Sequence, residues 1–324
     1  MLAITQYQDA FIAYLKEQHI LRQPQNLYEP IDYILGLGGK RMRPVLTLMA
    51  AEVFDCDYQQ ALPAAMAVEV FHNFSLVHDD IMDDAPLRRG KETVHEKWNL
   101  NTGILSGDAM LILAYQYFEQ YRPEIFRDLA KLFSKTALEV CEGQQWDVDF
   151  ENREDVTIAE YLKMIEYKTA VLVGAAMQMG AIIAETSEEN KRLIYDFGLY
   201  LGIAFQLQDD YLDVFGDPET FGKQIGGDII ENKKTYLYLK AMAFAEKPEA
   251  EQLQHLYSIQ PADNTEKIQS VATVFNATGA SEATREAIKQ YTLKAFDTLN
   301  RMQISEDKKQ ALRTFGENLM DRKV

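Results

Sequence analysis

The chain of 324 residues carries 33 basic and 50 acidic side chains, which gives it a formal net charge of −17. A surface this negative argues against nucleic acids and anionic membranes as partners, because both would repel it. Hydrophobic residues make up 47% of the sequence, which is ordinary for a globular protein with a substantial core.

No targeting or membrane segment is predicted. The N-terminus, MLAITQYQDAF, has neither a basic start nor an apolar centre, so we expect no signal peptide. The longest nearly apolar run, 171–184, has 14 residues and is too short to cross a bilayer, so it predicts a buried core helix. The two cysteines, Cys56 and Cys141, form no zinc or redox motif, which favours a reduced, cytoplasmic compartment.

Helical periodicity dominates the chain, and the alternation typical of strands is nearly absent. The prolines fall mostly where helices would begin or end. No linker rich in Pro, Gly or Ser interrupts the chain, so we predict a single domain over residues 1–324 rather than two. The patterns predict an all-α protein with helices at roughly 3–20, 26–36, 42–55, 60–83, 102–121, 124–145, 157–167, 169–185, 188–215, 234–245, 249–258, 263–276, 280–302 and 305–320.

Two of the predicted helices end in aspartate clusters, DDIMD at 79–83 and DDYLD at 209–213. Residues four apart lie about 40° apart around a helix, so Asp79 and Asp83 share one face. Asp209 and Asp213 share a face in the same way. Like charges at this spacing destabilise a helix by ~0.2–0.5 kcal/mol, which favours a cation between them. Carboxylates without other donor types suit Mg²⁺ or Mn²⁺, which commonly bridge protein carboxylates to phosphate oxygens.

The remaining aspartates leave an alternative open. Asp80, Asp84 and Asp210 are expected on flanking faces of the two helices. The clusters could be acidic, solvated helix ends, or the first could form ion pairs with Arg88 and Arg89. Each cluster, however, ends a long apolar helix and precedes a basic loop, and this repeated layout favours metal binding.

Basic residues gather at a few places in this acidic chain. GGKRMRP (38–44) lies beside a predicted helix start, where anions are favoured. The other basic segments are LRRGK (87–91), YKT (167–169), FGK (221–223) and ENKKT (231–235). The positions of these five segments around the aspartate clusters indicate a binding site for diphosphate groups.

Two uncharged polar residues lie on the helices that carry the clusters. His72 is seven residues before Asp79 and shares its face, which favours a ligand contact over a hydrogen-bonded core histidine. Gln206 is about one turn before Asp209, where it could face the carbon next to a bound diphosphate or bond to backbone. His78 lies at a flank of the first cluster and is interpreted as structural.

In their order along the chain, these motifs resemble those of the head-to-tail, trans-type isoprenyl diphosphate synthases, the polyprenyl synthetases. The resemblance spans residues 38–235, about 60% of the chain. It implies the isoprenoid synthase fold, an all-α bundle around a deep central cavity with both aspartate motifs facing each other at its mouth. It also implies a homodimer. The motifs that carry it are GGKRMRP, VFHNFSLVHDDIMDDAPLRRG, YKT and FQLQDDYLDVFGD followed by FGK, GGD and NKKT.

The resemblance implies a role for each motif. Mg²⁺, with Mn²⁺ as a substitute, would bridge Asp79, Asp83 and Asp209 to the diphosphate of an allylic substrate. Thr169 and Gln206 would lie near the allylic cation. The residues that would hold the allylic diphosphate are Arg88, Lys168, Lys223 and Lys233. Those that would hold isopentenyl diphosphate are Lys40, Arg43, His72 and Arg89.

The implied reaction is a prenyl transfer, in which isopentenyl diphosphate attacks an allylic cation and pyrophosphate accepts the released proton. A class I terpene cyclase also uses a DDxxD motif, but its second metal motif mixes Asn, Ser or Thr with Glu, and it needs one diphosphate site. A non-catalytic subunit usually loses one aspartate motif, whereas this chain has both.

Product length is predicted from the residues before the first cluster, where bulky side chains in the resembling family stop chain growth. Phe74 and Ser75 stand five and four residues before Asp79, a pattern similar to that of C20 (geranylgeranyl) synthases. Phe71, two turns before the motif, is a second candidate for the floor. We expect a C20 product, with C15 (farnesyl) or longer chains as alternatives.

Overall fold

The computed structural model describes residues 1–217 and 225–321. Within that part the protein is all-α, apart from an antiparallel hairpin of two-residue strands, β1 (Leu87–Arg88) and β2 (Lys91–Glu92). The first helices are α1 (Ile4–Glu17), α2 (Gln25–Gly36), α3 (Met42–Val53), α4 (Leu62–Met82), α5 (Val94–Lys97), α6 (Leu100–Phe118) and α7 (Pro123–Glu151). The others are α8 (Ile158–Ile165), α9 (Val171–Ile183), α10 (Glu188–Phe215), α11 (Gly227–Ile230), α12 (Tyr236–Phe244), α13 (Lys247–Leu256), α14 (Thr265–Ala277), α15 (Ala280–Arg301) and α16 (Glu306–Met320).

Most helices lie where the periodicity predicts them, but one predicted break is wrong. The helices expected at 157–167 and 169–185 are continuous, because α8 passes into α9 through a π-helical turn, Glu166–Ala170. The prediction also ended α7 six residues too early. The hairpin, α5 and α11 were not predicted, since elements of two to four residues are too short to show a period.

Contacts divide the chain into two compact units. Unit 1 comprises Met1–Lys135 and Ala175–Ile194, and unit 2 comprises Thr136–Gly174 and Tyr195–Val324. Each unit has fully buried aromatic side chains, such as Phe71 in unit 1 and Phe275 in unit 2. The extent of 1–324 as one domain stays a prediction.

The apolar run that predicts a core helix forms α9, where Val171, Ala176 and Met179 are buried. Among the residues that the structure describes, no helix is both long and apolar enough to cross a membrane. The prediction of a buried helix is confirmed for this segment.

In unit 1, α4 packs against α3 and α6. The helix is buried from Ala64 to Phe71 because seven of these eight residues are apolar, and the one charged residue, Glu69, pairs with the buried Arg41. Its other charged residues come in the last turn. The first aspartate cluster therefore stands where a buried helix ends.

In unit 2, α12 packs against α14 and α15. Leu237 of α12, Val271 and Phe275 of α14, and Leu207 of α10 are fully buried in one hydrophobic cluster. This packing holds α10 in the core directly before the second aspartate cluster.

Candidate functional site

The first aspartate cluster forms the C-terminal end of α4. The backbone N–H of Asp83 donates to the carbonyl of Asp79 at 2.9 Å, so the two carboxylates stay one turn apart as predicted. Asp84 then takes a left-handed conformation, with φ of 49°, and Ala85 N–H donates to the carbonyl of Asp80 at 2.9 Å. This pair of features is typical of a helix C-terminus and turns the chain back on itself. Asp83 is exposed, and Asp79 is partly buried.

The turn brings Arg88 onto Asp80. Nε of Arg88 donates to Oδ2 of Asp80 at 2.8 Å, and Nη2 donates to Oδ1 at 2.7 Å. The Asp80 side chain is 2% exposed and that of Arg88 is 24% exposed. Ion pairing, the alternative for the first cluster, is therefore correct for Asp80. The family resemblance implies that Arg88 holds a diphosphate. Its third guanidinium nitrogen, Nη1, takes no part in the two hydrogen bonds to Asp80.

A basic cluster forms beside α3 and α4. Nη1 of Arg43 lies 3.1 Å from Nε2 of His72. Burial, and then the charge of Arg43 and three other arginines, lowers the pKa of His72 well below its usual value, so the imidazole is neutral and accepts from Arg43. Nε of Arg43 is buried and has no hydrogen-bond partner within the described residues. A guanidinium with a buried, unpartnered N–H group favours an anionic ligand.

The other basic residues of this cluster differ in their contacts. Arg41 is buried, and it pairs with Glu69 and donates to the carbonyl of Leu35. Its charge therefore stabilises the fold and is not presented to a ligand. Arg89 donates to the carbonyl of Gly38. Lys40 is exposed.

The GG of GGKRMRP makes room for Arg89. A Cβ at Gly39 would lie 2.8 Å from the Arg89 guanidinium, and Gly39 has φ of 119°, which disfavours other residues. The glycine pair thus lets this arginine reach the backbone of the loop before α3.

The predicted chain-length residues lie in the middle of α4. Phe71 is fully buried, and its ring centroid lies 5.5 Å from that of Phe74 and 5.0 Å from that of Phe133. The Phe74 ring contacts the ring of His78, 4.8 Å away. Ser75 is partly buried and donates to the carbonyl of His72.

In unit 2, the π-helical turn carries Lys168 and Thr169. Two glycines allow the turn to pack closely, because a Cβ at Gly143 of α7 would lie 2.2 Å from the Lys168 backbone nitrogen. A Cβ at Gly202 of α10 would lie 2.8 Å from Cα of Ala170. Single π-helical turns are frequent at functional sites, and this one has no signal in the hydrophobic pattern.

Lys168 pairs with Asp147 of α7, with Nζ 2.5 Å from Oδ2. Both side chains are about 30% exposed (30% and 27%), so the ammonium group is held in place but stays accessible. Sequence reasoning did not identify Asp147, because it belongs to none of the motifs.

The second aspartate cluster lies on the last turns of α10. Asp209 is partly buried, whereas Asp210 and Asp213 are buried. Oδ2 of Asp213 accepts from the backbone N–H of Asp228 at 3.0 Å, which fixes the start of α11. Asp228 belongs to the GGD segment quoted for the family resemblance, to which no role had been given.

Asp210 is enclosed by donors. Tyr161 donates to Oδ2, and Nε2 of Gln206 donates to Oδ1 at 3.1 Å. Burial, and then the charge of Asp228, raises the pKa of Asp210 well above its usual value, while the two donors oppose that shift. Burial and the charge of Asp210 raise the pKa of Tyr161, so the phenol stays protonated and donates.

These residues border one cavity of about 250 Å³. Its wall combines carboxylates and lysines with an apolar side formed by Phe150, Met164 and Ile165. A space of this kind suits a ligand with a charged head and an apolar tail. The polar lining residues include Asp147, Tyr161, Lys168, Thr169, Gln206, Asp209, Asp210, Asp213, Asp228, Lys233 and Lys234.

The two lysines of NKKT, Lys233 and Lys234, differ in their contacts. Burial lowers the pKa of Lys233, but the hydrogen bond and charge of Glu231 outweigh it, so the net shift is upward and the ammonium stays charged. Lys234 donates to the carbonyl of Arg153 at 2.5 Å and lies near the last carbonyls of α7, where a cation stabilises a helix end. Lys223, predicted to hold diphosphate, lies outside the described residues.

A third group of metal-ligating side chain types lies just after the first cluster. The ligand atoms of Asp84, His95 and Glu96 are within 4.8 Å of one another. His95 Nε2 lies 3.8 Å from Oε1 of Glu96. The imidazole does not suit Mg²⁺, which prefers oxygen ligands, so this group stands apart from the predicted magnesium site.

The sequence matches the family model described as Polyprenyl synthetase over residues 24–275. The chain belongs to the polyprenyl synthetase family. The geranylgeranyl pyrophosphate synthase of Geoglobus acetivorans is 39% identical to this polyprenyl synthetase over 280 residues, which cover 86% of this chain and 84% of that protein. The geranylfarnesyl diphosphate synthase of Natronomonas pharaonis is 38% identical over 290 residues, covering 84% of this chain and 83% of that protein.

A solved structure agrees over the full length of the polyprenyl synthetase. The crystal structure of a geranylgeranyl pyrophosphate synthase is 53% identical, with a TM-score of 0.96 and complete coverage (100%) of both chains. The predicted all-α isoprenoid synthase fold is confirmed, and so is the prediction that the chain is a trans-prenyltransferase enzyme.

Proposed function

We propose that this polyprenyl synthetase condenses isopentenyl diphosphate with allylic diphosphates to make the C20 product, geranylgeranyl diphosphate. The cavity of unit 2 carries the proposal, because it combines carboxylates and charged lysines with an apolar wall. The names of the Geoglobus relative and of the superposed structure support the C20 length. A longer product is the second candidate, since the Natronomonas relative is named a geranylfarnesyl synthase.

Mg²⁺, with Mn²⁺ as a substitute, fits the donors available. Asp79 and Asp83 on α4 and Asp209 on α10 offer carboxylate oxygens, the ligands that Mg²⁺ prefers. By the family resemblance, we assign each of these three residues as a metal ligand. When bound, Mg²⁺ would neutralise diphosphate charge and thereby assist the departure of pyrophosphate.

We assign the allylic diphosphate to the lysines of unit 2 together with Arg88. Lys168 is held by Asp147 with its ammonium accessible, and Lys233 lines the same cavity. Charge-assisted hydrogen bonds from such groups are stronger than neutral ones. Lys223 is assigned with them by the family resemblance.

We assign isopentenyl diphosphate to the basic cluster of unit 1. Arg43 has a buried, unpartnered Nε among the described residues, and the neutral His72 beside it adds no repulsion toward a second cation. Lys40 and Arg89 supply further positive charge. Two separate basic clusters suit two diphosphate substrates, which favours a synthase over a cyclase with one.

The reaction then proceeds by ionisation and capture. The allylic C–O bond breaks, and its electron pair leaves with pyrophosphate. The double bond of isopentenyl diphosphate supplies two electrons for the new C–C bond, and the resulting cation loses a proton to the nearby pyrophosphate. The chain's own residues hold both diphosphates and keep water away from the cation.

We also propose that the enzyme is a homodimer. Four apolar side chains of α6 are 40–60% exposed: Leu100, Ile104, Leu105 and Ile112. At about 100° per residue they fall within an arc of about 140°, so they lie on one side of the helix. An apolar stripe of this kind on a soluble protein marks an interaction surface, and a second copy is the occupant that the family resemblance implies. A monomer in light scattering at micromolar concentration would contradict this assignment.

Incubation of the purified protein with isopentenyl diphosphate, Mg²⁺ and an allylic diphosphate tests the proposal. Chromatography of the dephosphorylated products should give mainly the C20 alcohol, with one pyrophosphate released for each condensation. A cyclic hydrocarbon formed without isopentenyl diphosphate would identify a cyclase instead. The absence of any prenyl product would overturn the proposed function.

A further inference from the structure

Four side chains of unit 2 form one hydrogen-bonded chain at the wall of the cavity. Thr169 Oγ1 donates to Oε1 of Gln206 at 3.3 Å. Nε2 of Gln206 donates to Oδ1 of Asp210 at 3.1 Å, and the Tyr161 hydroxyl donates to Oδ2. All four residues line the cavity.

The hydrogen bonds of this chain all run toward Asp210, from Thr169 through Gln206 on one side and from Tyr161 on the other. The Gln206 amide can face Asp210 with its NH₂ group or with its oxygen, and in the structure the NH₂ group faces Oδ1 of Asp210, whose Oδ2 accepts from Tyr161. The amide oxygen must then face Thr169, where it accepts the hydroxyl hydrogen. Asp210 thus determines, through Gln206, where the hydrogen of Thr169 lies.

This direction matters for what the cavity presents to a substrate. A hydroxyl that donates to the protein keeps its lone pairs for the cavity, whereas a hydroxyl that accepts from the protein turns its hydrogen outward. Lone pairs stabilise a neighbouring positive charge, and an outward hydrogen opposes it. Groups oriented before the reaction are the most effective, because no reorganisation is needed as charge develops.

We propose that Asp210 and Tyr161 are positioning residues for ionisation. They fix the Gln206 amide, so that the Thr169 hydrogen is bound inside the protein and its oxygen lone pairs face the allylic cation. The inference rests on the proposed function, because it needs an allylic substrate in this cavity. In this proposal Asp210 and Tyr161 act on the cation through Gln206 and Thr169.

Burial makes the arrangement rigid. Asp210 and Tyr161 are 4% exposed each, so water cannot replace a lost partner easily. The second oxygen of Asp210 is occupied by Tyr161, which leaves one oxygen for Gln206 and prevents the carboxylate from rotating. Removal of the Tyr161 hydroxyl should therefore loosen Asp210 and let the Gln206 amide reverse.

Tyr161→Phe and Thr169→Val test the two ends of the chain without touching the proposed metal ligands. Each should lower kcat about tenfold, the loss of about one hydrogen bond, and leave KM for both substrates within about twofold. A loss confined to kcat marks an interaction that is made only in the transition state. Thr169→Ser keeps the hydroxyl and should restore most of the activity.

A double variant shows whether the two ends act through one chain. Once Thr169→Val has removed the hydroxyl, Tyr161→Phe should cost little more, so the two effects should be strongly non-additive. Tyr236→Phe is the matched control, because its buried ring lies 6.5 Å from that of Tyr161 and it is outside the cavity lining. Thermal unfolding of every variant reports on folding. If Tyr161→Phe does not fold, the difference in kcat between Thr169→Ser and Thr169→Val still tests the role of the Thr169 hydroxyl.

The outcomes are distinguishable. An active wild-type enzyme with kcat unchanged in Thr169→Val, or with fully additive effects in the double variant, would overturn this inference and leave the proposed function standing. A wild-type enzyme without prenyl transfer would overturn both. A fall in kcat with constant KM, rescue by Thr169→Ser and non-additivity would support the chain.

Discussion

Arg88 binds Asp80, the second aspartate of the first cluster, through two parallel hydrogen bonds of 2.8 and 2.7 Å. The second aspartate of the other cluster, Asp210, is likewise buried and held by two donors. In both clusters, then, the carboxylate of the second aspartate accepts hydrogen bonds from side chains of the protein itself. The first aspartate of each, Asp79 or Asp209, is more accessible and better suited to a ligand.

Removal of Arg88 should destabilise the fold. Arg88→Met leaves the buried Asp80 carboxylate without its counter-ion, and breaking such pairs costs about 3–5 kcal/mol. Because Arg88 is 24% exposed, we expect a value near the lower limit. Urea unfolding measures it, with the exposed Arg127→Met as control. A change below about 0.5 kcal/mol would contradict the structural role of this pair.

The pairing of Asp80 with Arg88 illustrates what the sequence could not predict. A helical projection places Asp80 on a flanking face, which is correct, but it cannot indicate that the chain reverses at Asp84 and returns. The burial of Arg41 likewise depends on Glu69, which is far away in sequence. Contacts between distant segments have no periodic signature, so their partners are found only in the folded structure.

The helices and the motif residues were more predictable. Apolar periodicity and proline positions located the long helices, and helix geometry placed Asp79 and Asp83 one turn apart. The π-helical turn at Glu166–Ala170 escaped prediction, because it depends on close packing against Gly143 and Gly202. The roles of Lys168 and Thr169 were implied by resemblance, whereas their geometry comes from this turn.

Activity should require Mg²⁺ or Mn²⁺ and the first aspartate of each cluster. Asp79→Ala and Asp209→Ala should each lower kcat by several orders of magnitude, because the pyrophosphate charge would be poorly neutralised. The exposed Asp32→Ala on α2 is a matched control for loss of a carboxylate. Steady-state assays with chelator and added metal measure the effect. Turnover near that of the wild type in either variant would remove the metal assignment.

The basic residues should divide between two substrates. Arg43→Ala and Lys40→Ala should raise KM for isopentenyl diphosphate, and Lys168→Ala should affect the allylic diphosphate instead. Loss of one charge-assisted hydrogen bond costs ~1.5–3 kcal/mol, or roughly tenfold to a hundredfold. Initial rates with each substrate varied in turn measure both KM values. An unchanged isopentenyl diphosphate KM in Arg43→Ala would show that the division is wrong.

His72 should make the protein less stable in mild acid. Its folded-state pKa is lowered by burial and by the charges of Arg43, Arg89, Arg88 and Arg41. In mild acid, His72 is therefore protonated in the unfolded chain but stays neutral in the folded protein. Its contribution is therefore fully present above about pH 6.5, and below that it falls by up to about 1.4 kcal/mol per pH unit.

Urea unfolding between pH 5 and 8 measures this dependence. His72→Asn should flatten the decline in unfolding free energy below about pH 6.5, because the titrating imidazole is gone. His255→Asn, an exposed histidine on α13, should keep the slope of the wild type. Equal slopes in wild type and His72→Asn would contradict a neutral His72 in the folded protein.

Phe74 should set the product length. Its ring packs against Phe71 on one side and His78 on the other, and it is 9% exposed, whereas Phe71 is fully buried against Phe133. The exposed fraction makes Phe74 the more accessible of the two barriers to a growing chain. Phe74→Ala should therefore lengthen the main product by at least one C5 unit, while the C20 product should fall.

The same ring contacts provide the control. Phe71→Ala opens a cavity within the aromatic cluster and should cost about 3–5 kcal/mol of stability, because its ring has no solvent-facing edge. Its product length should stay unchanged if Phe74 is the floor. Ser75→Phe adds bulk one residue nearer to Asp79 and should shift the product toward C15. Chromatography of dephosphorylated products measures all three variants, and longer chains from Phe71→Ala with none from Phe74→Ala would transfer the floor to Phe71.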